Sequence, residues 1–307
     1  MVLWDDIQWN HPRLLKVSPV AAIPHKLCAY HLILDLSFKL HLENGGLVDL
    51  VNNTMEKWTP RGAIDQLGHL LKMLIHAFAE ADNNAVILMA KWDIQDGFWQ
   101  LNCCEGEEWN FCCVWQQKLG EPCRLVVPTS LQMGWVESPP YFCAASEMGR
   151  DMAVEYIETT VGGLPAHKFE WWSDTLLAPI GDTGSMQPSL WYVLKVYVND
   201  FISAIIPTTR EKIEHVTRGI LHGIHDVFPP SGDEDCNPIS LKKLRKGDGK
   251  YDTTKCLLGF EFNGVTKTIW LEEPKWVTLL TILHKWIQGS TRAGCGIPFA
   301  EFKSVIA

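Results

Sequence analysis

The sequence Val196-Tyr197-Val198-Asn199-Asp200-Phe201-Ile202 decides the fold, because two apolar runs enclose a pair of polar acceptors. The β-branched and aromatic residues on both sides predict two strands, and the Asn199-Asp200 pair suits the tight turn of a hairpin. Such a turn would present an amide and a carboxylate at one end of a buried sheet. Taken alone, the pair is explained more simply as ordinary turn chemistry, since Asn and Asp are common in turns.

A second acidic strand end follows a continuous apolar run over residues 85–92, which only Lys91 interrupts. The run predicts a buried strand, and it leads directly into Asp93 and a glycine turn. A carboxylate in this position would lie at the edge of a sheet, although Asp93 would also serve as a simple cap for the following element. If both strands belong to one sheet, we expect Asp93, Asn199 and Asp200 to converge.

Apolar residues at helical spacing predict several helices around these strands. The helices are expected over residues 60–80 after a Thr59-Pro60 start, from Ser138 as N-cap with Pro139 in the first turn, over 208–227, and over 274–288. Shorter apolar runs predict a hairpin of residues 99–104 and 109–115, and a strand over 256–262 that turns at Asn263-Gly264 and returns over 268–271. Residues 160–190 contain Gly and Pro and are predicted to form a long insertion.

Composition places the 307-residue chain among globular proteins, since 47% of its residues are hydrophobic and 21% are charged. The sequence shows neither an apolar run of membrane-spanning length nor a signal-peptide pattern, so we expect an intracellular protein, cytoplasmic or nuclear, without membrane partners. The net charge of −9 argues against a general nucleic-acid binder. It leaves open a polymerase-like site, in which acidic residues hold metal.

Other clusters have two interpretations each. The basic residues form either a phosphate-facing patch or a solvated loop; they are Lys242, Lys243, Arg245, Lys246 and Lys250. Cys103-Cys104 and Cys112-Cys113 are expected to face each other across the hairpin, where free buried thiols are favoured over zinc because adjacent residues on a strand point to opposite faces. The histidines of the 208–227 helix are expected on its surface or in the core rather than at a metal; they are His215, His222 and His225.

Several spaced motifs together resemble the reverse transcriptases of gypsy-type LTR retrotransposons, over about residues 16–307. The matching segments are Ser18–Lys26 and Leu34–Phe38 (fingers), Lys91–Phe98 (first palm motif), Leu131–Phe142 (template and nucleotide loop), Tyr197–Asp200 (the Tyr-x-Asp-Asp hairpin) and Leu258–Phe260 (primer grip). The resemblance implies an α+β fold, with a palm of antiparallel sheet backed by helices and a fingers subdomain. It further implies fingers and palm over residues 1–262, and a hairpin end with the first thumb or connection helices over 263–307.

The resemblance also implies a site for templated DNA synthesis by phosphoryl transfer, which uses two Mg²⁺ (or Mn²⁺) ions about 3.5–4 Å apart. Asp93, Asp200 and the backbone carbonyl of Ile94 would be the metal ligands, with Asn199 as the third catalytic position. The implied partners are an RNA or DNA template–primer and deoxynucleoside triphosphates. The RNase H and integrase segments of a parent polyprotein are not recognised in the chain, which we expect to be a fragment of a larger product.

The same resemblance implies which residues would form the nucleotide pocket. Lys26 would contact the incoming triphosphate, and Phe98 would exclude the 2′-hydroxyl of a ribonucleotide. Met133 would line the pocket, and Gly134 would let the backbone approach the nucleotide. Lys255 is a candidate for the lysine that protonates pyrophosphate, with its register left open.

Two departures from the motifs bear on activity. Asn199 stands where the family has an aspartate, and an amide oxygen can bind Mg²⁺ but brings no negative charge. His31 stands where an arginine usually follows an aromatic residue, and neutral histidine cannot make a bidentate phosphate contact. The hypothesis is therefore a decayed or fragmentary retroelement copy with impaired catalysis. The alternatives are a catalytically dead nucleic-acid-binding remnant of the same fold, and a structural or zinc protein.

Overall fold

The structure of the protein is a computed structural model. It describes residues 1–25, 29–48, 51–54, 61–115, 118–160, 163–170, 191–206, 209–230 and 237–289. Lys26, the Thr59-Pro60 helix start, most of the 160–190 insertion and the side chain of His31 lie outside the described residues.

The described strands are mostly short, whereas three helices exceed fifteen residues. The strands are β1 (Val2–Leu3), β2 (Val20–His25), β3 (Ala29–Leu34), β4 (Leu40–His41), β5 (Leu47–Val48), β6 (Leu88–Asp93), β7 (Cys113–Val114), β8 (Arg124–Val126), β9 (Trp191–Tyr197), β10 (Asp200–Ile206), β11 (Thr254–Leu257), β12 (Phe260–Asn263) and β13 (Thr268–Leu271). The α-helices are α1 (Trp4–Ile7), α2 (Val51–Thr54), α3 (Arg61–Asp65), α4 (Leu70–Glu80), α5 (Ser138–Thr159), α6 (Arg210–Val227), α7 (Leu241–Arg245) and α8 (Glu273–Gly289).

The central element is an antiparallel sheet with the strand order β6-β10-β9. Alternation along its strands divides the side chains between two faces. Trp92 and Phe201 lie in a buried cluster with residues of α5 and α6, whereas Met89 and Ile202 pack with residues of α4 and β12. The α+β fold, with antiparallel sheet backed by helices, is therefore confirmed.

The two long helices behind the sheet, α5 and α6, lie very close together. A Cβ atom on Gly223 would lie 2.6 Å from the backbone nitrogen of Ala153 and 2.7 Å from the carbonyl oxygen of Gly149. The predicted 208–227 helix is confirmed over 210–227, because Thr209 caps it and its apolar stripe is buried. That stripe consists of Ile213, Val216, Ile220 and Ile224.

The predicted hairpin of residues 99–104 and 109–115 is wrong. Residues 97–100 and 107–111 form 3-10 helices, and β7 pairs with β8 instead. The physical reason lies at the N-terminus, where Lys16 N–H donates to Trp109 O at 3.0 Å and Ser18 N–H donates to Cys112 O at 2.9 Å. These bonds use backbone acceptors that a hairpin would need. The two cysteine pairs therefore do not face each other across a hairpin.

Smaller differences concern element ends. The predicted 60–80 helix is divided into α3, a 3-10 turn over Leu67–His69, and α4. The predicted 256–262 strand is two strands, because Leu258 and Gly259 both have left-handed φ values, 53° and 81°, and reverse the chain. Ser138 begins α5 instead of capping it, and its hydroxyl donates to the Gln132 carbonyl at 2.8 Å.

The remaining sheets are small. They are the three-stranded β1-β8-β7 and β11-β12-β13 and the two-stranded β2-β3 and β4-β5. The predicted boundary at residues 262/263 falls inside β12, whose Asn263 pairs with Thr254. The predicted 274–288 helix is confirmed as α8. None of the described helices is both long and apolar enough to span a bilayer.

Candidate active site at the end of the central sheet

Asp93 ends β6 and Asp200 begins β10, and the two are directly paired across the strands. Ile94 N–H donates to Asn199 O at 2.8 Å, which makes 94–199 a hydrogen-bonded pair. By the alternation of antiparallel ladders, Asp93–Asp200 is then a close, non-hydrogen-bonded pair with Cα atoms about 4.5 Å apart. Both residues share the face of Met89 and Ile202, so they lie opposite the layer of α5 and α6.

The turn beside this pair consists of Val198 and Asn199, not of Asn199 and Asp200 as the sequence suggested. Val198 has a φ of 53°, which is left-handed and uncommon for a β-branched residue. Such backbone conformations cost about 1–3 kcal/mol and persist where the surrounding structure imposes them. Asp200 is consequently a strand residue that faces Asp93, and Asn199 is held at the tip of the hairpin.

Asn199 reaches the acidic pair with its amide nitrogen. Its Nδ2 donates to Asp93 Oδ1 at 2.8 Å and lies 3.4 Å from the carbonyl oxygen of Ile94. The structure thus brings Asp93, Ile94, Asn199 and Asp200 together, as their positions in the sequence suggested. The amide presents a donor, whereas an aspartate in this position would present a third carboxylate.

A fifth residue, Lys243, was not expected at this site. Its Nζ bonds Asp93 Oδ1, and the backbone of α7 is anchored beside it because Ser240 N–H donates to Asp93 O at 2.9 Å. In the sequence, Lys243 lies 150 positions from Asp93, within a group of several basic residues. No spacing pattern distinguished it from Lys242 or Lys246.

The carboxyl group of Asp93 is buried, with 6% of the residue exposed. Burial raises its pKa to about 6, with a smaller raising effect from Asp200, and the Lys243 ammonium opposes both. Asp200 Oδ1 is a buried oxygen without a hydrogen-bond partner among the described residues. Burial lowers the pKa of Lys91, but Asp248, at 3.4 Å, and Asp200 outweigh it and raise that pKa overall.

These atoms fit a divalent cation. Mg²⁺ binds carboxylate and carbonyl oxygens, and an unpartnered buried carboxylate oxygen such as Asp200 Oδ1 is an incomplete site until a cation or donor reaches it. Asp93 and the carbonyl of Ile94 are the further oxygens nearby. The donors Asn199 and Lys243 already occupy Asp93 Oδ1, so a cation would have to displace them there.

The predicted nucleotide-pocket residues lie in two places. Phe98 follows the site in the 3-10 turn and packs edge-on against Phe142, with ring centroids 5.4 Å apart. Met133 is half exposed, and Gly134 has a φ of 98°, with Leu34 O only 3.1 Å from where a Cβ would be. Lys26 lies outside the described residues.

Nothing in the sequence indicated the contacts of Asn52, and the position of Lys255 was left open. Asn52 fixes the 134–136 loop, because its Nδ2 donates to Gly134 O at 3.1 Å and its Oδ1 accepts from Val136 N–H at 3.1 Å. Its position in a polar Asn-Asn pair carried no signal. Lys255, whose register was open, donates to Gly247 O at 2.6 Å.

No protein-family model matches the chain, and no curated protein sequence matches it. Among solved structures, it is similar to a foamy viral protease–reverse transcriptase in complex with double-stranded DNA (13% identity, TM-score 0.48, 98% of this chain and 38% of that chain). The same viral protein with an RNA/DNA hybrid gives 13% identity and a TM-score of 0.45 over 98% of this chain and 29% of that chain. Apo telomerase from Candida tropicalis, truncated from its C-terminal domain, gives 9% identity and a TM-score of 0.42 over 86% and 56%.

The chain therefore spans between 29% and 56% of the length of these solved chains. At such identities and TM-scores, the similarities concern the path of the chain and say nothing about activity. The fold class rests on the strand order and on the helices that cover the sheet.

Proposed function

We propose that the chain is the fingers-and-palm part of a reverse transcriptase derived from a gypsy-type retroelement, with impaired nucleotidyl transfer. The observation that carries the proposal is the cross-strand pairing of Asp93 with Asp200 beside Asn199. The motif resemblance supplies the reaction class and the partners, an RNA or DNA template–primer and deoxynucleoside triphosphates.

Asp93 and Asp200 would hold Mg²⁺ or Mn²⁺, with the carbonyl of Ile94. The bound metal would supply activation of the primer hydroxyl and stabilisation of charge on the transferred phosphate. The residues of the chain would do the positioning: Phe98 would close the pocket on the sugar side, and the loop of Met133 and Gly134 would lie along the nucleotide.

Impairment follows from the chemistry of Asn199. Its amide adds no negative charge to the site, and its nitrogen donates to Asp93, so it neutralises part of the charge that attracts a cation. Lys243 acts in the same direction on the same oxygen. The site therefore has two carboxylates, one of them already occupied.

Primer extension on an RNA template tests the proposal. We expect Asn199→Asp to raise the extension rate at least about tenfold over the parent chain, since altered metal-site partners commonly change metal affinity or activity by 10–100-fold. Asp200→Asn is the matched control, because it removes one carboxylate from the neighbouring position and is expected to abolish extension.

If the parent chain extends primers as fast as Asn199→Asp, the impairment is refuted. If neither chain extends primers with Mg²⁺ or Mn²⁺, the chain is not a polymerase.

The second candidate is a nucleic-acid-binding domain of this fold without catalysis. The specific observation in its favour is that Asp93 Oδ1 accepts from both Asn199 and Lys243, donors that a catalytic cation would have to displace. Lys242, Arg245 and Lys246 are exposed around α7 and would contact phosphates.

Binding of a fluorescent RNA/DNA hybrid, measured by anisotropy at several salt concentrations, tests this second function. Replacing the three exposed basic residues with Gln should weaken binding and lower the salt slope by about 0.9 for each phosphate that is no longer neutralised. Lys39→Gln, exposed on another part of the chain, is the control for net charge. If the salt slope of the triple variant is unchanged, the hybrid binds to another part of the protein and not to the basic residues around α7.

A further inference from the structure

Asp93 Oδ1 accepts from two donors at once, and they come from different parts of the chain. Asn199 Nδ2 approaches from the hairpin turn, and Lys243 Nζ approaches from α7. Asp200 Oδ1, across the strand pair, has no hydrogen-bond partner among the described residues. The acidic pair is thus unequal: one carboxylate is neutralised by a lysine, and the other keeps an open oxygen.

The position of Lys243 is imposed by the fold. Ser240 N–H donates to Asp93 O at 2.9 Å, and Ser240 also accepts from Leu244 N–H at 3.0 Å at the start of α7. Leu244 is buried in the cluster that contains Trp92, the neighbour of Asp93 in β6. Ser240 and Leu244, on either side of Lys243, are both held in place, so the backbone of Lys243 has a fixed position beside the Asp93 carboxylate.

The Lys243 side chain is 43% exposed although its partner carboxylate is almost fully buried. An ammonium group on a flexible four-carbon stem with access to water can leave a carboxylate without itself becoming buried and unpaired. Since Mg²⁺ and an ammonium both bind through attraction to carboxylate oxygen, the two would compete for Asp93 Oδ1.

We propose that Lys243 is an internal counter-cation of the acidic pair, which holds Asp93 when no divalent cation is bound and competes with that cation for the same oxygen. The inference rests on the proposed function in one respect, the presence of a cation site at Asp93 and Asp200. In this chain the cation site is closed by its own lysine and opens when Lys243 swings into solvent.

Mn²⁺ binding to the purified chain, without nucleic acid or nucleotide, tests the inference by electron paramagnetic resonance of free Mn²⁺. Lys243→Met keeps most of the stem and removes the charge, and we expect it to tighten Mn²⁺ binding on the order of tenfold. Lys243→Gln is a second uncharged variant for the case that Lys243→Met does not fold. Lys242→Met, on the same helix and exposed, is the matched control and should bind Mn²⁺ as the parent chain does.

Asp93→Asn combined with Lys243→Met locates the effect, because the gain in affinity should disappear when the carboxylate is removed. Unchanged or weaker Mn²⁺ binding in both uncharged variants would overturn the inference, as would an equal gain in Lys242→Met. This readout is separate from primer extension. Tightened Mn²⁺ binding without primer extension in any variant would refute only the polymerase function, and restored extension with unchanged Mn²⁺ affinity would refute only the role of Lys243.

Discussion

Two clusters of buried polar side chains differ in the charge that they carry. The acidic cluster at the sheet end contains Asp93, Asp200 and their donors, and one of its carboxylate oxygens has no partner among the described residues. The histidine cluster between α6 and residues 163–170 contains His167 and His225, joined Nε2 to Nδ1 at 3.0 Å. The histidine pair likewise leaves one buried atom, His225 Nε2, without a hydrogen-bond partner among the described residues.

The hydrogen bonds fix the proton positions in the histidine pair. Phe169 N–H donates to His167 Nδ1 at 3.2 Å, so the proton of His167 is on Nε2 and points to His225. Burial lowers the pKa of His167 to about 3 and that of His225 to about 4. The histidines are therefore neutral structural groups, in agreement with the expectation for His225, while the acidic cluster retains charge for a ligand. The two clusters therefore differ in the charge that they carry, and not in whether every polar atom is hydrogen-bonded.

The largest predicted effect is acid destabilisation through the histidine pair. Both folded pKa values lie below the unfolded value of 6.5, so the unfolded chain binds more protons as pH falls through 6.5. Between pH 7 and pH 5, the free energy of unfolding should fall by about 2 kcal/mol for each histidine. Urea unfolding at a series of pH values measures this change in the free energy of unfolding.

The same titration in His225→Leu should lose about half of this slope, whatever its absolute stability. Other titratable groups lie near the pair, namely Lys168, Glu170, His222 and Asp226. Asp93 acts in the opposite direction because its folded pKa is raised, so slopes are compared between variants. His41→Asn, exposed on β4, serves as control, and an undiminished slope in His225→Leu would contradict the structural role of the pair.

A smaller effect concerns the ion pair that fixes residues 163–170 to α6. Arg218 binds Glu170 with two parallel bonds of 2.5 and 3.0 Å, and Glu170 accepts from His167 N–H at 3.1 Å. Arg218→Met should lower the free energy of unfolding by about 1–2 kcal/mol, as expected for charge-assisted bonds that are partly shielded from water.

Arg210→Met is its matched control on the same helix. Arg210 pairs with Glu214 at 2.9 Å on an exposed surface, where such pairs contribute about 0.5 kcal/mol or less. Equal losses in the two variants, measured by chemical denaturation, would show that the 163–170 segment does not depend on Arg218.

The smallest predicted stability effect belongs to the acidic cluster. Asp93→Asn removes a buried charge and its repulsion from Asp200, and it also removes the ion pair with Lys243, so opposing contributions largely cancel. The free energy of unfolding at pH 7 should change by less than about 1 kcal/mol, compared with about 3–5 kcal/mol for Phe201→Ala in the core face of the adjacent strand. A loss for Asp93→Asn as large as that for Phe201→Ala would mean that the acidic cluster is structural.

Local sequence patterns correctly predicted the elements that have long apolar runs or clear helical spacing. The apolar runs on both sides of Asn199-Asp200 and the 85–92 run predicted the strands of the central sheet, and the stripe from Ile213 to Ile224 predicted α6. The convergence of Asp93 with Asp200 was predicted too, because a carboxylate directly after a buried strand must lie at the sheet end. The hairpin at residues 99–115 was predicted wrongly, because the N-terminal segment takes its backbone acceptors.

What the sequence by itself determined is the strands of the central sheet, the long helices α5, α6 and α8, and the chemistry available at the strand ends, since apolar runs and helical spacing are local properties of the chain. Only the tertiary structure decided that Val198 and Asn199 form the turn, that Asn52 holds the Gly134 loop, and that Lys243 lies on Asp93. The last two contacts join residues far apart in the chain, and packing of α7 and the loops against the sheet selects their partners, which no local pattern predicts.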